Sequence, residues 1–161
     1  MNAISNLELK RSTWQTTMML TLGFWLSASF VLDWVIMPSL YISGMMNQAG
    51  FSSAGYLIFW NFNRLELLFA AVVLTSVLAV SKTQSHWRLG VIISSALLLI
   101  VALLNTYFFT PQMCAVGTDL NLFAAVSVPP TMNLLHGGYF LLEGLKLVAG
   151  GALLNWCWKQ V

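Results

Sequence analysis

Nine residues interrupt runs that are otherwise apolar: Asp33, Asn63, Arg64, Glu66, Asn105, His136, Tyr139, Glu143 and Lys146. Their types define the chemistry open to them. Carboxylates beside a lysine in a low-dielectric interior can bind a proton, an ion or a small polar ligand, or can simply tie helices together. A histidine next to Gly137-Gly138 has room beside it for a flat ring, so His136 is a candidate axial ligand for a tetrapyrrole. Bis-histidine haem is disfavoured, because the other histidine, His86, falls at the opposite end of the spans. The methionines, Cys114 and His136 show no fixed metal-ligand spacing, so no metal is assigned. No nucleophile elbow, phosphate loop, zinc signature or C-x-x-C motif is present, and no catalytic residue is assigned.

Spacing decides which of these groups can meet. His136, Tyr139, Glu143, Lys146 and Gly150 follow an i, i+3, i+4 pattern and share one helix face. Glu143 and Lys146 are three apart and can pair within the helix. In FNRLE (62–66), Asn63 and Glu66 share a face, whereas Arg64 points about 200° away from Glu66 at 100° per residue. The pattern predicts two pairings: Arg64 with Asp33, and Glu66 with Glu143 and Lys146.

The elements that must carry these residues are membrane helices. The chain is 58% hydrophobic and 7% charged, against about 25% charged in soluble domains. It cannot clothe a water-facing surface, so its solvent is largely lipid. Four runs reach spanning length: Trp14 to Met37, which has room to run on past Pro38, then Tyr56 to Val80, Trp87 to Phe109 and Met132 to Trp156. They are too long and too uniformly apolar for barrel strands. The expected fold is all-α, a single four-helix transmembrane domain over residues 1–161. The first run is too long for a signal-peptide core and no small-x-small site follows it, so it is expected to be retained.

Orientation follows from the cations. Lys10 and Arg11 precede the first span, Lys82 and Arg88 flank the turn Ser81 to His86, and Lys159 follows the fourth span. The loops Pro38 to Gly55 and Pro111 to Thr131 contain no Lys or Arg, and the second, which holds Asp119, ends in Val128-Pro129-Pro130-Thr131, an extended lead-in expected to cap the fourth span. The positive-inside rule places both termini in the cytoplasm and these two long loops outside. Cys114 and Cys157 then fall on opposite sides, where no disulfide can join them. The net charge of +2 is too small and scattered for nucleic-acid binding.

A short internal repeat is also visible. DWVIMPSL ends the first span and TYFFTPQM the third, each with a polar residue, Asp33 or Thr106, five positions before a proline. Leu65-Glu66-Leu67 and Leu142-Glu143-Gly144 occupy corresponding places in the second and fourth. Such a parallel repeat would set Glu66 and Glu143 at similar depth across an axis along the membrane normal.

FNRLE, TYFFTPQM and MNLLHGGYFLLEGLKL together resemble a group of uncharacterised small four-span membrane proteins of cyanobacteria, over about Trp25 to Gly151. The resemblance implies a photosynthetic bacterium and a plasma or thylakoid membrane, and no activity.

The leading expectation is a non-catalytic accessory subunit or assembly factor of a larger membrane complex, holding a pigment or lipid through His136 and the outer polar groups. Its partners would be lipids and other integral membrane proteins or further copies of itself. The alternative is a small transporter or ion- or metal-binding protein using the intramembrane Asp/Arg/Glu/His set. A third is an intramembrane enzyme, such as a cofactor-independent oxygenase.

Overall fold

The computed structural model describes residues 2–45, 48, 50–81, 89–123 and 130–159, with side chains from residue 13 onward except 118–123. The expected turn with Lys82 and Arg88, the Val128-Pro129 lead-in, and the side chains of Lys10, Arg11 and Asp119 lie outside this set.

Among the described residues every regular element is helical: α1 (Asn2–Ser29), α2 (Met37–Ile42), α3 (Phe51–Ser81), α4 (Leu89–Leu104), α5 (Thr110–Phe123) and α6 (Pro130–Trp158). π-helical turns, Phe30–Ile36 and Asn105–Phe109, join α1 to α2 and α4 to α5. Four stretches are long and apolar enough to cross a membrane: Thr13–Ile42, Phe51–Ser81, Leu89–Gly117 and Pro130–Trp158.

The two π-turns have one cause. Pro38 and Pro111 carry no N–H, so the carbonyls one turn earlier, of Trp34 and Tyr107, lose their usual partners. The backbone adapts by widening the preceding turn: the Met37 N–H bonds to the Leu32 carbonyl, and the Thr110 N–H to the Asn105 carbonyl. The helices therefore continue past both prolines. The first span thus runs on past Pro38, through α2 to Ile42, and one boundary is corrected: residues 111–123, expected as loop, are helical and belong to α5. The expected cap for the fourth span is itself helical, since α6 begins at Pro130. Pro130 stands in the first turn of α6, where a missing N–H costs no helical hydrogen bond.

The helices pack as a ring. α1 lies against α3 and α6, and α4 lies against the same two. The chain ends share one end of the bundle, where Cys157 Sγ sits 3.8 Å from Met18 Sδ. Cys114 lies past Pro111 in α5, at the other end, and no disulfide joins it to Cys157.

The ring's outer surface is apolar: Leu20, Phe24, Ile42, Leu134, Leu141 and Val148 are among many large side chains left exposed. In lipid this surface needs no cover. By the same token, apolar packing between helices gains little over packing against acyl chains, so close approach and polar pairing carry more of the stability. Gly150 and Gly138 provide the close approach. A Cβ on Gly150 would lie 2.6 Å from Leu26 Cδ2, and one on Gly138 would lie 2.6 Å and 2.9 Å from Phe109 Cε1 and Cζ. The Phe109 ring meets that of Phe108 edge-on, 5.1 Å between centroids. Gly138→Ala is expected to destabilise the bundle by about 1–3 kcal/mol. Gly137→Ala, where a Cβ meets nothing within 4 Å, should be neutral. Thermal unfolding in detergent compares the two.

Candidate functional site

The inward stripe of α1 and the π-turn after it runs Met18, Leu22, Trp25, Ser29, Asp33, all buried. This is a helical spacing of three and four that changes from apolar to polar partway up. The other spans change in the same sense. On α3, Val77, Val73 and Ala70 give way to Glu66 and Asn63; on α6, Leu153 and Ala149 give way to Lys146, Glu143 and Tyr139. On the third span Leu98 and Ala102 give way to Asn105, Thr106 and Thr110. The bundle thus has an apolar core on the side of the termini and a polar core on the side of the prolines. The π-turns hold Asp33, Asn105 and Thr106 toward this polar core, where all three are buried.

Lys146 is the centre of the cluster. Its ammonium pairs with Glu66 Oε1, from the helix diagonally opposite, and with Glu143 Oε2, one turn up its own helix. All three side chains are completely buried. Glu66 Oε1 also accepts from Trp25 Nε1 and from Ser29 Oγ, each at 2.9 Å. Glu143 Oε1 accepts from Asn105 Nδ2 at 2.7 Å. Tyr139 donates its hydroxyl to Asp33 Oδ1 at 3.1 Å, and the Asp33 carboxyl also faces that of Glu143. Higher up, Asn63 Nδ2 donates to Thr110 Oγ1 at 2.7 Å. Thr106 Oγ donates to the Ala102 carbonyl of its own helix at 2.6 Å.

The balance of this network is one-sided. One ammonium faces three carboxyls, so the cluster carries two more negative equivalents than positive when all are ionised. Asp33 Oδ2, Asn63 Oδ1, Glu66 Oε2 and Asn105 Oδ1 are buried acceptors without a hydrogen-bond donor, and Glu143 Oε2 meets only the Lys146 ammonium. A buried site with surplus acceptors and surplus negative charge is completed by something positive that donates: protons, or water carrying them. Among the described residues no three His, Cys, Asp or Glu side chains are placed to hold a metal ion, and the lysine occupies the position between the carboxyls that a cation would need.

Seven of the nine residues singled out from the sequence converge here: Asp33, Asn63, Glu66, Asn105, Tyr139, Glu143 and Lys146. Two do not. Arg64, expected to pair with Asp33, is instead exposed on the outer face of α3, its guanidinium 4.1 Å above the centre of the Trp60 ring. The angular argument that separated Arg64 from Glu66 turns it toward lipid, and Asp33 takes Tyr139 as its partner. His136 is also exposed, and donates from Nδ1 to the Met132 carbonyl of its own helix at 2.9 Å. It lies outside the bundle core, so it reaches nothing held inside. Trp25 and Ser29 were missed as members of the cluster. They lie eight and four residues before Asp33, a spacing that puts all three on one face.

Comparison with known proteins returned no match, whether to a family model, a curated protein or a solved structure.

Proposed function

We propose that this chain is an integral membrane protein whose buried carboxyl–lysine cluster takes up and releases protons from one side of the membrane. The observation that carries this reading is the excess of unpartnered buried acceptors around a single lysine. A purely structural cluster gains by matching donors to acceptors, since each unmatched buried group costs about 1–3 kcal/mol. Here the mismatch falls on the oxygens of Asp33, Glu66 and Asn63, side by side in one core.

The polar lining of the core is one-sided as well. From Lys146 toward the prolines, polar side chains follow one another to Thr110. Toward the termini the core is apolar for about 16 Å, taken as the rise from Lys146 to Cys157. Ser76 and Ser95 interrupt it, but their hydroxyls are taken up by the Val72 and Ile92 carbonyls of their own helices. Such an arrangement serves a proton-binding site with a single mouth, and not a pore. By the placement of the flanking cations, the mouth faces away from the cytoplasm, in a plasma or thylakoid membrane.

The test is proton exchange by the purified chain in lipid nanodiscs after a pH step, read with a soluble pH indicator and as the carboxylic-acid carbonyl band in infrared difference spectra. The wild type should exchange protons and show the band. Glu143→Gln and Asp33→Asn keep the size and most hydrogen bonds of the residues they replace, so both should stay folded and lose most of the signal. A wild type indistinguishable from empty nanodiscs overturns the proposal.

A further inference from the structure

The three carboxyls of the core are not held alike. Among the described residues, Glu66 Oε1 takes three donors: the Trp25 indole N–H and the Ser29 hydroxyl, each at 2.9 Å, and the Lys146 ammonium. Glu143 takes two, the Asn105 amide on Oε1 and the same ammonium on Oε2. Asp33 takes one, the Tyr139 hydroxyl, and otherwise faces the carboxyl of Glu143. Two of the donors to Glu66 depart from what their surroundings favour. A serine inside a helix commonly returns its hydroxyl to a carbonyl one turn back, as Ser27, Ser76 and Ser95 do. Ser29 instead donates across to α3. Trp25 packs its ring in the apolar core against Phe69, yet turns its N–H to Glu66, with the Lys146 ammonium 5.9 Å from the ring centre.

On the reading that this cluster exchanges protons, we propose that Trp25 and Ser29 are positioning residues that commit Glu66 to Lys146 as a lasting ion pair, and so confine the exchanged proton to the facing carboxyls of Asp33 and Glu143. Hydrogen bonds to the charged form of a carboxyl favour that form, whereas a second carboxylate alongside favours taking up a proton. Open acceptors alone would not separate the two sites, since Glu66 Oε2 and Asp33 Oδ2 both lack a donor. The donors on the other oxygen of Glu66 separate them. The charged and titratable groups around Glu66 are Lys146, Glu143 and Tyr139 from α6 and Asp33 from the π-turn after α1. The third span brings the amide of Asn105 and the hydroxyl of Thr106 to this core, and no charge among its described residues. Uptake balances as one proton from water bound by one carboxylate of the Asp33–Glu143 pair, its new O–H donating to the other.

The experiment is a pH titration of the purified chain in lipid nanodiscs. Protons bound are counted as the excess over the double variant Asp33→Asn, Glu143→Gln, and carboxylic-acid carbonyl bands are read by infrared difference. Trp25→Phe keeps a ring in place, and Ser29→Ala removes only the hydroxyl. Combined, they should raise the count from about one to about two protons per chain and add a second carbonyl band. Adding Glu66→Gln to that pair should remove the new band and keep the old one. Ser29→Ala alone should show the new band at part of its intensity, so the outcome does not hang on the folding of the indole replacement. If Trp25 and Ser29 only pack, their replacement lowers the melting temperature and adds no band, which overturns the assignment while proton exchange by the wild type still stands. A wild type that exchanges nothing removes both.

Discussion

Lys146→Met is expected to destabilise the bundle by about 3–5 kcal/mol, enough to deplete the folded form in detergent. Methionine fits the volume and is at home in a helix and in an apolar core. The loss is electrostatic. Glu66 and Glu143 would keep their neutral donors, Trp25, Ser29 and Asn105, but lose the Lys146 ammonium, the only one in the core among the described residues. Removing one member of a buried ionic set leaves the others charged and without compensation. Thermal melting, or unfolding from mixed micelles by a denaturing detergent, measures the effect. The triple variant Lys146→Met, Glu66→Gln, Glu143→Gln decides whether charge is the cause. It keeps the shape and the neutral hydrogen bonds while removing all three charges, and should recover most of the lost stability. If it is as unstable as the single variant, packing of the lysine stem matters more than its charge.

The same pair of variants separates holding from acting. A cluster that only fixes helix rotation has nothing further to lose once the neutral triple variant folds. A proton-binding cluster loses exchange in that variant although its helices stand in place. Stability and exchange should therefore part company, which neither measurement alone would reveal.

What could be read ahead of the structure was set by the solvent. In a bilayer nearly every charge within a span must turn inward, so listing the charges almost lists the core, and the i, i+3, i+4 spacing assigned Glu143 and Lys146 to one face. The same angular rule separated Arg64 from Glu66. The error lay in assuming that every charge within a span finds a partner inside the bundle; Arg64 lies on the outer face instead. The helical path past Pro111 was less legible. A proline before polar residues reads as a boundary, and only the backbone shows a π-turn absorbing the missing N–H so that the helix continues. Trp25 escaped notice because an indole in an apolar run looks like core. Its ring nitrogen, which makes it part of the cluster, becomes informative only once Glu66 is known to lie 2.9 Å away.

Leu98→Asn tests the closed half of the bundle. Leu98 is fully buried in α4, two turns on the terminal side of Asn105, in the apolar core with Leu22, Val73 and Leu153. Its amide replacement meets no polar neighbour among these and would draw water down from the polar half. The dry layer is then shorter, and a hydrophobic constriction holds back protons only while it stays dry. Each 1.36 kcal/mol taken from the barrier is tenfold in rate, so proton leak through reconstituted liposomes should rise by about tenfold or more. The decay of an imposed pH gradient, followed with a trapped dye, measures it. The wild type should hold the gradient as empty liposomes do, because its polar core ends at the level of Lys146. A wild type that already leaks would mean a path runs the full length of the bundle, and the single-mouthed reading would fail. A Leu98→Asn chain that folds and stays tight would place the barrier elsewhere, toward Met18 and Cys157, where the helices meet at the terminal end.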